Sequence, residues 1–352
     1  MTSVFKYENT FTLESGVTLP GYHLAYTTHG KLNADKTNVV WIFHALTANS
    51  NPVEWWPGLV GDGKFFDPAK HFIICVNKPG SPYGSISPLS TDPQTNEPYY
   101  HDFPLFTIRD MIKTYQQLKN HLGIKKILVA LGGSTGGMQL LEWAIEEPEL
   151  FDHIVPIATN AALSPWAIAF NASQRMAIEA DATWPERRPD AGQKGLSAAR
   201  SIALLSYRHY NGYDITQARD KAFVALTGDA VYASDNYQRY QGLKLVNRFN
   251  AHCYYRLTQS MDSHDVGRGR TTIEKALKKI SAKTLIIGIK SDVLYPIAEQ
   301  EYLQKNIRGA ELLSIASDFG HDGFLLEYEK IEPALKEFIE DRSSHHLKVV
   351  NE

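Results

Sequence analysis

Ile127-Leu128-Val129-Ala130-Leu131-Gly132-Gly133-Ser134-Thr135-Gly136-Gly137-Met138-Gln139 is the stretch that decides the fold. It opens with a solid apolar run without alternation, which suits a strand covered on both faces. Met138, Leu141 and Ile145 then recur at helical spacing. Between the two lies G-x-S-x-G, the signature of a strand that turns sharply into a helix with a serine at the apex. Flanking residues without side chains let the turn pass its neighbours. The hydroxyl emerges above the sheet edge, at the positive end of the helix. The same glycines also suit a phosphate-binding turn or a plain strand-to-helix connection.

Further solid apolar runs occupy residues 38–43, 72–76, 154–158 and 284–289. Met111, Tyr115, Leu118 and Leu122 mark a helix that Gly123 stops. Strands alternating with helices predict an α/β fold with a mainly parallel sheet flanked by helices. At the N-terminus Phe11, Leu13, Val17, Leu19, Tyr22, Leu24 and Tyr26 read as short strands, with a turn at Ser15-Gly16. From about residue 161 to 270 the rhythm breaks into helix formers and aromatics. The expected organisation is a core of residues 1–160 and 271–342, a helical lid of 161–270, and a polar tail of 343–352. The histidine pair His345-His346 in that tail reads as solvated.

The 352 residues carry 36 Lys and Arg against 39 Asp and Glu, a net charge of −3. That leaves no large cationic field, so neither nucleic acid nor an anionic membrane is an expected partner. The longest apolar runs fall well short of the roughly 18 residues that span a bilayer. The first residues lack the basic start and apolar run of a secretory signal. Two cysteines, Cys75 and Cys253, make neither a disulfide framework nor a zinc cluster. A cytoplasmic protein without a metal or permanently bound cofactor is expected.

A serine nucleophile needs a base, and the base needs an orienting acid. In this chain order the acid and then the histidine follow the serine. Asp292 sits just past the apolar run 284–289, where sites of open α/β sheets collect. His321 lies between Gly320 and Asp322-Gly323, in a loop ahead of a final helix expected over 328–339. Singly, Asp292 also reads as a helix N-cap and His321 as an ordinary loop histidine. In this order, each after a strand, they predict a Ser134–His321–Asp292 triad. The backbone N–H groups of Thr135 and of Leu46, in the loop after Phe43, are the candidate oxyanion donors. His44 in that loop reads as a structural hydrogen-bonding residue.

Several blocks in order resemble one family, the homoserine O-acetyltransferases of the α/β-hydrolase fold. They are His44-Ala45-Leu46-Thr47, Trp55-Trp56-Pro57-Gly58-Leu59-Val60-Gly61-Asp62-Gly63-Lys64, Tyr83-Gly84-Ser85, Asp102-Phe103-Pro104 with Thr107-Ile108-Arg109-Asp110-Met111, and Gly132 to Gln139. Ala169-Phe170-Asn171, Met261-Asp262-Ser263-His264-Asp265, Gly267-Arg268-Gly269-Arg270 and Ser291-Asp292-Val293-Leu294-Tyr295-Pro296 continue the series. The resemblance runs from about residue 10 to 340. It implies a ping-pong transfer in methionine biosynthesis: acetyl-CoA acylates Ser134, and the hydroxyl of L-homoserine takes the acetyl group. It further implies Arg200 and Tyr207 as substrate-binding residues, with Arg200 gripping the homoserine carboxylate in a two-pronged contact. Asp322 would receive the amino group. Without the resemblance, Arg200 reads as a surface helix charge and Asp322 as a helix cap. A homodimer through the lid helices is also implied.

Two departures from the family pattern stand out. Thr135 occupies a position where methionine is usual, and Lys78-Pro79-Gly80-Ser81-Pro82 replaces a small, apolar run. Either bears on acyl-donor or acceptor choice. Succinyl-CoA as donor, serine as acceptor, and plain ester hydrolysis with the same triad therefore stay open. Hydrolysis is suppressed only where the site excludes water. The lid aromatics Trp166, Phe170, Trp184, Tyr210 and Tyr213 are either the lining of such a site or simple lid core.

Overall fold

The solid apolar runs pair into one eight-stranded sheet in a computed structural model that describes residues 2–219, 223–224 and 230–340. The tail 343–352, with His345-His346, lies outside the described residues. The strands are β1 (Thr2–Tyr7), β2 (Tyr22–His29), β3 (Val39–Phe43), β4 (Phe72–Val76), β5 (Ile127–Gly133), β6 (Phe151–Ile157), β7 (Lys283–Ile289) and β8 (Glu311–Ile315). Their spatial order is β1-β2-β4-β3-β5-β6-β7-β8. Strand β2 runs antiparallel to both neighbours, and all other pairings are parallel. Side-chain alternation explains the apolar runs. In β3, Val39, Trp41 and Phe43 enter one hydrophobic cluster while Val40 and Ile42 enter the other, so neither face is left to water.

Strands β1 and β8 have no such run, and the sequence reading passed over both. They are the two edges of the sheet, and most of their side chains are half-buried or exposed. An edge position places no demand for continuous apolar residues. The N-terminal hairpin pairs Phe11–Thr12 with Thr18–Leu19 and turns, as predicted, through Gly16 at φ +86°.

The longer helices follow in chain order. Helix α1 (Ile108–His121) starts from a capping box between Thr107 and Asp110. Helix α2 (Thr135–Glu146) follows the serine turn. Between β6 and β7 come α3 (Pro165–Glu179), α4 (Gln193–Tyr207), α5 (Tyr210–Thr216), α6 (Ala233–Val246) and α7 (Ala251–Asp262); α8 (Ile297–Asn306) and α9 (Tyr328–Glu340) complete the set. Chain leaves the sheet for this helical region and returns at one place. There the Leu163 N–H donates to the His264 carbonyl at 2.9 Å, and the Val266 N–H to the Ala161 carbonyl at 3.0 Å. Among the described residues no helix is long and apolar enough to cross a membrane.

Two of the sequence blocks converge on the buried face of α2. Glu142 is only 2% exposed, yet it accepts from Arg109 Nε at 2.7 Å and from Arg270 Nη2 at 2.5 Å. Arg109 and Arg268 both reach Glu14 near the N-terminus, at 3.0 and 2.8 Å. Burial by itself would raise the Glu142 pKa, but the hydrogen bonds from Arg270 and Arg109 outweigh it and hold the carboxyl below its ordinary range. The cluster ties α1, α2 and the segment that returns from the helical region into one unit. Glu142→Gln should lower stability near neutral pH by on the order of 3 kcal/mol, because it leaves buried guanidinium charge uncompensated. A carboxyl with a depressed folded-state pKa contributes stability above its unfolded pKa and loses it as pH falls. The gap between wild-type and variant melting temperatures should therefore shrink below the ordinary glutamate range.

Candidate active site

Ser134 sits between β5 and α2 with φ +58° and ψ −125°, a conformation rarely taken by a residue with a side chain. The glycines explain how the turn fits. A Cβ on Gly136 would lie 2.2 Å from the Phe43 carbonyl oxygen, and one on Gly132 would lie 2.5 Å from the Gly136 backbone. Strand β3, paired to β5 at Phe43↔Gly132, thus lies directly against the first turn of α2. The Thr159 hydroxyl donates to the Ser134 carbonyl at 3.0 Å and fixes the turn from the β6 side.

Asp292 and His321 meet. The His321 Nδ1–H donates to Asp292 Oδ2 at 2.6 Å, with both residues buried. The other carboxylate oxygen accepts the Leu294 and Tyr295 N–H groups at 2.8 and 2.9 Å. With Nδ1 donating, Nε2 is left as the basic nitrogen. In this conformation Ser134 Oγ and His321 form no hydrogen bond; they share a neighbour in Tyr295. Its ring lies 5.1 Å from the His321 ring. Its buried hydroxyl approaches the Ser134 side chain. Phe324 closes the other side, packed on Gly133 and 5.4 Å from the imidazole. Tyr295 escaped the sequence reading, although it stands in the quoted block three residues after Asp292.

Neither the Leu46 nor the Thr135 backbone N–H donates to a protein acceptor among the described residues. His44 is buried and satisfied: its Nδ1 bonds the Ala45 carbonyl at 2.8 Å, and its Nε2 accepts the Lys78 N–H at 3.2 Å. Burial, helped by the Lys78 charge, pushes its pKa well below the ordinary value. His44 is therefore a neutral structural residue, as its sequence context suggested.

Gly320, at φ +63°, brings the histidine loop onto the lid; a Cβ there would lie 2.7 Å from the Arg208 backbone. Tyr207, at the end of α4, has its ring 5.7 Å from the His321 ring and tilted to it by 41°. The Arg200 guanidinium lies 5.4 Å from the Tyr207 ring centroid and forms no ion pair among the described residues. Asp322 departs from the simple expectation of a waiting carboxylate. It is ion-paired with Arg208, whose guanidinium also reaches the Tyr237 hydroxyl at 3.3 Å. Arg208 adjoins Tyr207 in sequence, but nothing local signals that it meets a residue beyond the lid. The five aromatics of the helical region divide. Trp184 is half-buried and packs against His101, His252 and Tyr255, Trp166 and Tyr210 are exposed, and Phe170 and Tyr213 are half-buried.

A mainly parallel sheet, a strained serine turn and an Asp–His pair at the strand ends define an α/β-hydrolase-fold protein, and the α/β-hydrolase family model matches residues 38–328. A homoserine O-acetyltransferase of Cyclobacterium marinum is 46% identical over 340 residues, covering 95% of this chain and 94% of its own. The chain belongs to the homoserine O-acetyltransferase family. Two solved structures share the fold at 24% identity. One is a homoserine O-acetyltransferase from Bacillus anthracis, with a TM-score of 0.88 and 98% of both chains covered. The other is an acetylester hydrolase from Corynebacterium glutamicum, with a TM-score of 0.84 and 97% and 96% covered.

Asp292→Asn tests the geometry of the dyad. An amide keeps an oxygen for the Leu294 and Tyr295 N–H groups but turns its NH₂ toward His321 Nδ1. That forces the proton onto Nε2 and removes its capacity to accept another. Acetyl transfer should fall by roughly 10⁴, with the melting temperature little changed.

Proposed function

We propose that the chain transfers an acetyl group from acetyl-CoA to the side-chain hydroxyl of L-homoserine through an acetyl-Ser134 intermediate. The observation that carries this reading is the Asp292–His321 hydrogen bond beside the strained Ser134 turn, in a chain whose relatives carry that activity in their names. His321 Nε2 takes the Ser134 proton as Oγ attacks the thioester carbonyl. Leu46 and Thr135 donate N–H bonds to the oxygen that gains charge. The C–S bond breaks, and the CoA thiolate leaves with the proton from His321. Homoserine then enters, His321 takes its hydroxyl proton, and the same steps in reverse release O-acetylhomoserine and restore Ser134.

Arg200, next to Tyr207 and without an ion-pair partner among the described residues, suits the acceptor carboxylate. Asp322 suits the acceptor ammonium, in competition with Arg208. Residues 1–160 and 271–342 act as the core and 161–270 as the lid in this reading, which is supported by the paired ends of the helical region. It also places the chain in the cytoplasm, in methionine biosynthesis. The family resemblance and the exposed Leu205, Tyr240 and Leu243 on α4 and α6 favour a homodimer through the lid helices; Leu243→Glu should then halve the mass measured by light scattering.

The test crosses acetyl-, succinyl- and propionyl-CoA with homoserine, serine and water. Steady thiol release should require acetyl-CoA and L-homoserine together and vanish in Ser134→Ala; equal release with water alone would make the protein a hydrolase. Arg200→Ala should raise the homoserine KM by roughly 10- to 100-fold, the loss expected for a charge-assisted pair of hydrogen bonds. It should leave the single turnover of Ser134 acylation intact.

A further inference from the structure

Lys78 follows β4 and is 2% exposed, buried to a degree rare for lysine. Its ammonium has three protons and three acceptors: the His44 carbonyl at 2.9 Å, the Ala45 carbonyl at 3.1 Å and Thr135 Oγ1 at 3.2 Å. Among the described residues no carboxylate pairs with it. These partners are the two backbone segments that carry the oxyanion donors. The Ala45 carbonyl belongs to the same peptide group as the Leu46 N–H, and it already accepts His44 Nδ1–H. A cation on that carbonyl draws electron density through the peptide and makes the N–H a stronger donor. The third bond holds the side chain of Thr135, whose own N–H is the other donor. The two positions at which the chain departs from the family pattern are thus joined by one hydrogen bond.

We propose that Lys78 is a positioning residue of the oxyanion hole: its ammonium clamps the 44–47 loop to the first turn of α2 and polarises the Ala45–Leu46 peptide toward the charge that develops on the substrate oxygen. The inference rests on the acyl-serine reading of the site. It adds a proton switch to it, because burial lowers the Lys78 pKa to about 7. The titratable groups that face the ammonium are His44 at the end of β3, held neutral, and Cys75 on β4, its thiol pushed up to about 12 by burial. Neither supplies a counter-charge near neutrality. Lys78 is therefore cationic below about pH 7 and loses its charge above it, so the rate of acylation should fall on the alkaline side, with Lys78 setting that limb.

The experiment measures the second-order rate of the single thiol burst from acetyl-CoA without acceptor, from pH 5.5 to 9.5, for wild type, Lys78→Met and Thr135→Ala. Lys78→Met should acylate about tenfold more slowly at pH 6.5, a smaller loss than deleting a direct oxyanion donor, and should show no alkaline limb. Thr135→Ala keeps both backbone donors but removes one acceptor of the ammonium, so its alkaline limb should move to lower pH. A Lys78→Met protein that melts cooperatively and keeps the wild-type rate and limb overturns the proposal. Should that variant not fold, an unmoved limb in Thr135→Ala overturns it instead. A wild-type protein that gives no burst sinks the acyl-serine reading itself, and Lys78's role with it.

Discussion

The close approach of β3 to the first turn of α2 governs everything built above the sheet. Backbone meets backbone there with no room for a side chain on Gly132 or Gly136, and the cost appears as the strained φ of Ser134. That one contact raises the serine hydroxyl above the strand ends. It also sets the first turn of α2 against the end of β3, where the loop that carries Leu46 begins. A wider turn would relieve the serine and separate that turn from the loop. The buried Glu142 cluster opposes such relaxation, because it anchors the far side of α2 to α1 and to the segment that returns from the helical region.

How much was legible in the sequence follows from which features obey local rules. The central strands announce themselves because both sheet faces are covered; β1 and β8 do not, because an edge strand has no such obligation. Ser134, Asp292 and His321 each stand in a local context with a physical meaning: a glycine-framed turn, a strand end, a glycine-flanked loop. Arg208 and Asp322 are 114 residues apart, and their pairing depends on how α4 docks on the histidine loop, which no periodicity encodes. Lys78 was noticed only as a departure from a pattern. Its burial beneath the 44–47 loop became visible once β3, β4 and α2 were assembled side by side.

The blocks around Arg109 and Arg268-Gly269-Arg270 carry a related lesson. Clusters of arginine invite an anion-binding role. Here Arg109 and Arg270 are turned inward onto Glu142, and Arg268 onto Glu14. The charge of Arg109 and Arg270 goes into fixing α2. A recurring pattern in sequence can thus mark the support of a site as readily as the site itself.

The lid and the histidine loop share a joint, and this bears on the choice between an amino-acid acceptor and water. Gly320 lets the loop touch the backbone of Arg208, Asp322 pairs with the Arg208 side chain, and Tyr207 packs near the imidazole. The groups proposed to grip the acceptor therefore ride on the segments that hold the proposed base. Homoserine, drawing its carboxylate to Arg200 and its ammonium to Asp322, would compete with Arg208 and reset this joint as it binds. Water offers neither charge and would leave the joint as it stands. On the proposed reading, discrimination against hydrolysis would depend less on Ser134, His321 and Asp292, which would treat both hydroxyls alike, than on an acceptor whose binding reorganises the contact between α4 and the histidine loop.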